Sequence, residues 1–203
     1  MIDNIDWLGH ASFRIKGEQT LYIDPWKLNT DEPADIILIT HSHYDHCSPE
    51  DIKKISTEKT WIVTTPDTAA KLTGNIKTVR PGDNIEVLGV KIEVVPAYNI
   101  TKDYHPRSNN WVGFIFTLNN NRIYFPGDCD YIPEMQGIQA DIVLIPVGGT
   151  YTMTADEAAK AVNDIGATIA IPMHYGDIVG SREDAERFRN ICRAQVVIKS
   201  PIQ

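Results

Sequence analysis

The run Ala34-Asp35-Ile36-Ile37-Leu38-Ile39 returns, almost residue for residue, as Ala140-Asp141-Ile142-Val143-Leu144-Ile145. An unbroken apolar run of strand length, without polar alternation, belongs to a strand covered on both faces. A hairpin precedes each copy: Ser12–Lys16 with Thr20–Ile23, and Trp111–Leu118 with Arg122–Phe125. The second arm of each hairpin leads into an aspartate, Asp24 in the first half and Asp128 in the second. After each run come a polar loop and a capped helix, the first opened by Ser48-Pro49 and the second by Thr154 with Glu157 three residues on. Two stacked sheets with helices outside satisfy this repeated order. The expectation is one domain over residues 1–203, made of two similar halves. Further strands are expected at Trp61–Thr64, Ile85–Leu88, Val90–Pro96, Ile169–Pro172 and Gln195–Ile198. Further helices are expected over 67–72 and from Ser181.

Composition narrows the class of partner. The 203 residues carry a formal net charge of −8, which opposes loose binding to nucleic acid or to an anionic membrane. No apolar run approaches the ~18 residues of a membrane span. Three cysteines, Cys47, Cys129 and Cys192, make an odd set without a C-x-x-C pair. That pattern and the lack of an apolar leader after Met1 suit a reducing, cytoplasmic setting.

The polar loop after the first apolar run reads Thr40-His41-Ser42-His43-Tyr44-Asp45-His46, which holds three of the six histidines of the chain. Imidazole nitrogen and carboxylate oxygen are ligands for zinc, manganese or iron. His41 and His43 alternate by two and point the same way in extended chain. Asp45 and His46 follow the turn and reach an adjacent position. The loop leaves the C-terminal end of a buried strand, a common place for sites in sheet-based folds.

His41-x-His43-x-Asp45-His46 resembles the signature of the metallo-β-lactamase superfamily, and the likeness runs over almost the whole chain. Asp24-Pro25 looks like the family's early aspartate, Phe125-Pro126-Gly127-Asp128 like its Gly-Asp element, and Pro172-Met173-His174-Tyr175 like its late histidine. Trp7-Leu8-Gly9-His10-Ala11-Ser12 is similar to the opening of the branch with ascorbate-6-phosphate lactonases and N-acyl-phosphatidylethanolamine phospholipase D enzymes. The resemblance implies an α+β fold, a four-layer αββα sandwich, with one or two transition metals at the sheet edges. His41 and His43 would then hold the first metal. Asp45, His46 and His174 would hold the second, and Asp128 would bridge them. Zn²⁺ is the expected ion, with Mn²⁺ or Fe as alternatives.

One departure stands out. The family usually places another histidine after the strand that ends near Pro96, where this chain has Asn99, and neutral amide is a weak zinc ligand. His105, six residues on, either folds back to complete the first site or leaves it short of a ligand. His10 is expected to orient a ligand or line the pocket. Cys47 and Cys129 adjoin ligands but are expected to face the core, as is Cys192. Tyr98, Tyr151, Tyr175 and Asn99 are candidate pocket groups, while Trp26, Trp111 and Tyr104 fit pocket, core or interface equally.

The function expected is hydrolysis of a lactone, phosphodiester or related ester of a small molecule, with Asp45 and Asp128 as the catalytic carboxylates. The alternatives are a metal-binding protein of the same fold with weakened or lost catalysis, and a mononuclear redox enzyme.

Overall fold

A computed structural model describes residues 2–202. The repeated plan is realised as two sheets. In the first, β1 (Ile5–Gly9), β2 (Ser12–Lys16), β3 (Thr20–Ile23), β4 (Ile36–Leu38), β5 (Trp61–Thr64) and β6 (Asn75–Thr78) lie side by side in chain order. The second contains β7 (Asn84–Val87), β8 (Val90–Pro96), β9 (Val112–Leu118), β10 (Asn121–Phe125), β11 (Ile142–Pro146), β12 (Ile169–Met173) and β13 (Gln195–Val196), also in order.

The echo is one of topology as well as sequence. In each half an antiparallel hairpin, β2–β3 or β9–β10, hands over to a parallel strand, β4 or β11, that carries the apolar run. Leu21 stands opposite Ile36 in one sheet, and Ile123 stands opposite Ile142 in the other. A parallel neighbour needs a crossover, and the crossovers here carry the helices that cover the outer faces. These are α1 (Pro49–Ile55) and the short α2 (Pro66–Ala69) in the first half, and α3 (Ala155–Ile165) and α4 (Arg182–Ile191) in the second. Ser48 caps α1 by accepting from the Asp51 amide, and Thr154 and Glu157 close a reciprocal capping box on α3.

The inner faces of both sheets share one core, in which Phe13 of β2 meets Phe125 of β10 edge to face at 6.2 Å. A smaller cluster on the outer side of the first sheet packs Tyr22, Ile37 and Ile62 against Ile52 and Ile55 of α1. This is the four-layer αββα arrangement expected. Three elements differ from the expectation. The strand β6 is polar and half-exposed at a sheet edge, so it carries no apolar signal. The helix expected over 67–72 is only Pro66–Ala69, and the closing strand expected to Ile198 ends at Val196. Among the described residues no helix is long and apolar enough to cross a membrane.

Candidate metal centre

The loop after β4 delivers its side chains to the rim where the two sheets meet. His41 and His46 are fully buried, Asp45 is nearly so, and His43 is half-buried. Asp128 enters from the end of β10, and His174 from the end of β12. Three groups of donor atoms, each within 4.8 Å of one another, result: His41, His43 and His105; His41, His46 and Asp128; and His10, Asp45, His46 and His174. Every expected ligand is therefore in the cluster, with His10 added.

The distances match those around a metal ion. A tetrahedral site with metal–nitrogen spokes of about 2.0–2.1 Å has donor–donor edges of about 3.3 Å. His41 Nε2 and His43 Nδ1 are 3.1 Å apart. Asp128 Oδ2 lies 3.3, 3.4 and 3.0 Å from the Nε2 atoms of His46, His105 and His174. Those three nitrogens and Asp128 Oδ1 are buried, yet none has a hydrogen-bond partner. Buried polar atoms are almost always paired. A cluster of unpaired donors that converge on one another is what a cation satisfies.

The surroundings fix which ring nitrogen is free. Asp24 accepts from the Thr40 amide at 2.8 Å, from Thr40 Oγ1 at 2.7 Å and from His46 Nδ1 at 2.8 Å. Thr40 Oγ1, its proton given to Asp24, accepts from His41 Nδ1 at 2.9 Å. One buried carboxylate thus sets two tautomers and turns both Nε2 lone pairs into the cluster. Trp111 packs its ring 4.7 Å from each of His41 and His43 and donates to Asp67.

Asn99 is not in the donor cluster. Its Oδ1 accepts from the backbone amide of His105 at 3.0 Å and from His105 Nδ1 at 2.8 Å, which leaves His105 Nε2 facing Asp128. Its Nδ2 donates to Asp130 and to the Tyr151 carbonyl, both at 3.1 Å. Asp130 in turn accepts from the amides of Ile100 and Thr101 and from Lys102. The residue at the expected ligand position has become the support of the histidine that folds back, and His105 is buried.

His10 Nε2 donates to Asp45 Oδ2 at 3.1 Å, so its paired nitrogen is spent on orienting that carboxylate. The His10 carbonyl accepts from the His174 amide at 2.9 Å and from Trp7 Nε1 at 2.9 Å. His10, Asp24 and His174 all have left-handed backbone, with φ of 48°, 43° and 58°. Such conformations in residues other than glycine are costly and gather at functional sites. Gly148 packs so closely under His174 that a Cβ there would collide with the His174 carbonyl oxygen.

Electrostatics agree with the donor geometry. Burial opposes the charge on Asp128, but His174 and His46 outweigh it and hold the carboxyl well below its usual range. Burial likewise lowers His46, yet Asp128 and Asp24 raise it far above the ordinary histidine value. Three buried carboxylates call for positive charge at this point. Burial pushes His41 well down and His105 down to about 4, which keeps both imidazoles neutral and ready as ligands.

Some expected pocket groups lie elsewhere. Tyr98 is buried and donates to Glu134 Oε2 at 2.9 Å, because its strand end turns it away from the rim. Tyr175 stacks on Trp7 at 5.1 Å and, with Trp26, lines a separate cavity of about 420 Å³ behind His10. Tyr151 and Tyr104 do border the cluster. Cys47 and Cys129 are buried outside all three donor groups, and Cys192 caps the end of α4 against the core.

The comparisons with known proteins point the same way. A family model described as a beta-lactamase superfamily domain matches residues 4–174. A UPF0173 metal-dependent hydrolase of Thermoplasma acidophilum is 36% identical over 91% of this chain and 88% of its own length. The chain belongs to the metallo-β-lactamase superfamily, among its metal-dependent hydrolases. A relative of the same description from Thermoplasma volcanium is 33% identical over 94% of the chain and 91% of its own. A solved structure described as a metal-dependent hydrolase of Parabacteroides distasonis superposes with a TM-score of 0.87 at 34% identity, covering 98% of this chain and 93% of that one.

Proposed function

We propose that this superfamily member carries a dinuclear centre and hydrolyses a lactone, phosphodiester or related ester of a small molecule. His41, His43 and His105 would hold one ion, and Asp45, His46 and His174 the other, with Asp128 shared. The observation that carries this is Asp128 Oδ2, set 3.0 to 3.4 Å from nitrogens that belong to both groups. Nitrogen and oxygen donors without thiolate suit Zn²⁺, and Mn²⁺ or Fe accept the same set. When bound, such ions acidify water and polarise the oxygen of the scissile bond.

The protein's own groups then have definable tasks. Asp45 borders the pocket, and its hydrogen bonds from His10 and His46 outweigh burial to hold it far below the usual carboxylate range. An ionised carboxylate of such low basicity orients the attacking water and does not retain its proton. His10 keeps Asp45 in place. Asp24 and Asn99 keep the imidazoles of His41, His46 and His105 aimed inward. Trp111 closes the inner wall against His41 and His43.

The test is metal content on protein purified without chelator or nickel resin, followed by assays on lactones and phosphodiesters. Two equivalents per chain are expected, falling toward one in His105→Ala, with hydrolysis lost in His43→Ala while the circular dichroism spectrum is kept. One equivalent or none, unchanged in His105→Ala, would rule out the dinuclear assignment. Full activity in His43→Ala would overturn the site.

A further inference from the structure

The pocket over the donor cluster has a chemical character of its own. It holds about 220 Å³, below the roughly 300–1,000 Å³ of pockets for drug-sized ligands. Its floor is the ligand cluster. Its walls and mouth are Tyr44, Tyr104, Tyr151 and Ile178. Tyr44 is 67% exposed, Tyr104 51% and Ile178 38%. Three of the eight large apolar side chains that are exposed among the described residues thus ring one opening, and such a concentration marks a binding surface. The rings are braced: Tyr104 meets Tyr151 edge to face at 4.6 Å, and Tyr44 meets Trp26 at 5.9 Å.

No lysine or arginine lines this pocket. The cations nearest in sequence to its lining are paired with carboxylates outside it: Lys102 with buried Asp130, Arg107 with Glu134 at 3.0 Å and Arg182 with Glu186 at 3.6 Å. Lys71 donates to the Ser42 carbonyl at 2.7 Å, and Lys27 pairs with Asp177 at 2.8 Å. A substrate with a phosphate or carboxylate on its non-reacting part would bring that charge against tyrosine and isoleucine, with no guanidinium or ammonium to receive it. The chain as a whole is acidic.

Resting on the hydrolase reading above, we infer that the substrate is a neutral carboxylic ester or lactone whose non-reacting substituent is apolar and uncharged. The ester carbonyl faces the cluster, and the substituent lies among Tyr104, Tyr151 and Ile178. Water adds to the carbonyl carbon, the ring or ester C–O bond breaks, and the products are a carboxylic acid and an alcohol. Atoms balance with water as the only co-reactant.

The experiment is a series of γ-lactones on zinc-loaded protein, with alkyl tails of increasing length and a matched tail ending in carboxylate. In parallel, calorimetry measures binding of γ-lactams with the same tails, which present the carbonyl and resist ring opening. Catalytic efficiency and lactam affinity should each rise about threefold per added methylene until the pocket is full. The carboxylate tail should cost about tenfold or more at equal length. Tyr104→Ser and Ile178→Ser, both at exposed positions, should flatten the dependence on tail length. Efficiency independent of tail, preference for the charged tail, or a slope untouched by both variants would overturn the inference. Turnover of bis(4-nitrophenyl) phosphate with none of the lactones would overturn it and leave the hydrolase reading intact. Lactam binding that follows the tail rule, with turnover of neither the lactones nor the phosphodiester, would support the pocket's preference and sink the hydrolase reading.

Discussion

Asp24 and Asp128 stand at the same step of the repeated plan, each just past the second arm of a hairpin, whose neighbour is β4 in one sheet and β11 in the other. Both are buried and both touch His46. Their surroundings make them opposites. Both oxygens of Asp24 are taken by hydrogen-bond donors, namely the Thr40 amide, the Thr40 hydroxyl and a histidine Nδ1. Burial dominates there and raises its carboxyl above the usual value. Asp128 faces three Nε2 atoms, keeps one oxygen with no partner and is driven the other way. One residue type at one topological position thus serves once to aim imidazoles and once, on the proposed assignment, to hold metal. What decides the role is the set of donors that the neighbouring loops bring to it.

The comparison can be broken at either end. Asp128→Ala should remove stabilisation of several kcal/mol and cut kcat/KM on the order of 10³-fold. Metal analysis should show at least one ion lost from a protein that still folds, and a variant with full metal and near-normal rates would reduce Asp128 to a second Asp24. Asp24→Asn removes the charge that orients His46 and Thr40, and a support of this kind is typically worth about 10–100-fold in metal affinity. Competition with a chromophoric chelator should show weaker binding at both ions, since Asp24 aims His41 through Thr40 and His46 directly. Asn99→Ala should cost about tenfold, confined to the ion held by His105. If both ions weaken equally, the assignment of Asn99 to that one imidazole is wrong.

The smallest effect concerns pH. An ordinary histidine ligand meets proton competition once pH falls below about 6.5. Burial has pushed His105 down to about 4 and His41 lower than usual, so their neutral forms persist in acid. Affinity of the first ion, followed by calorimetry, should stay nearly flat as pH falls from neutral to about 5 and drop only as pH approaches 4. A decline that begins at 6.5 would contradict the buried, neutral state of that group.

Much of the fold was legible because β4 and β11 are covered on both faces and so read as unbroken apolar runs. The hairpins and the capping box at Thr154 were legible from local chemistry. The strand β6 was not, since Asn75-Ile76-Lys77-Thr78 is an edge strand held by its neighbour and not by burial. That His41, His43, Asp45 and His46 share one site was legible from their local clustering, and that Asp128 and His174 join them was legible through family resemblance. The roles of Asn99 and Trp111 were not. Asn99 acts through contacts with Asp130 and the Tyr151 carbonyl, and Trp111 through ring packing across the rim. Neither leaves a periodic or spacing signal. Tyr98 shows the converse: proximity in sequence to the expected ligand position suggested a pocket group, and the strand end turned it to Glu134.

The spread of the donor cluster over both sheets also has a consequence for how the protein comes to exist. The donors reach the centre from the β4 loop of one sheet and from the ends of β10 and β12 of the other. No half owns a complete set, so a nascent or partly folded chain offers an ion only fragments of its cage. Ions that bind the native state and not the unfolded one shift the equilibrium by mass action. On the proposed assignment, metal supply would act as a late folding ligand that holds the two sheets together, and a chain made under metal starvation should be degraded faster as well as inactive.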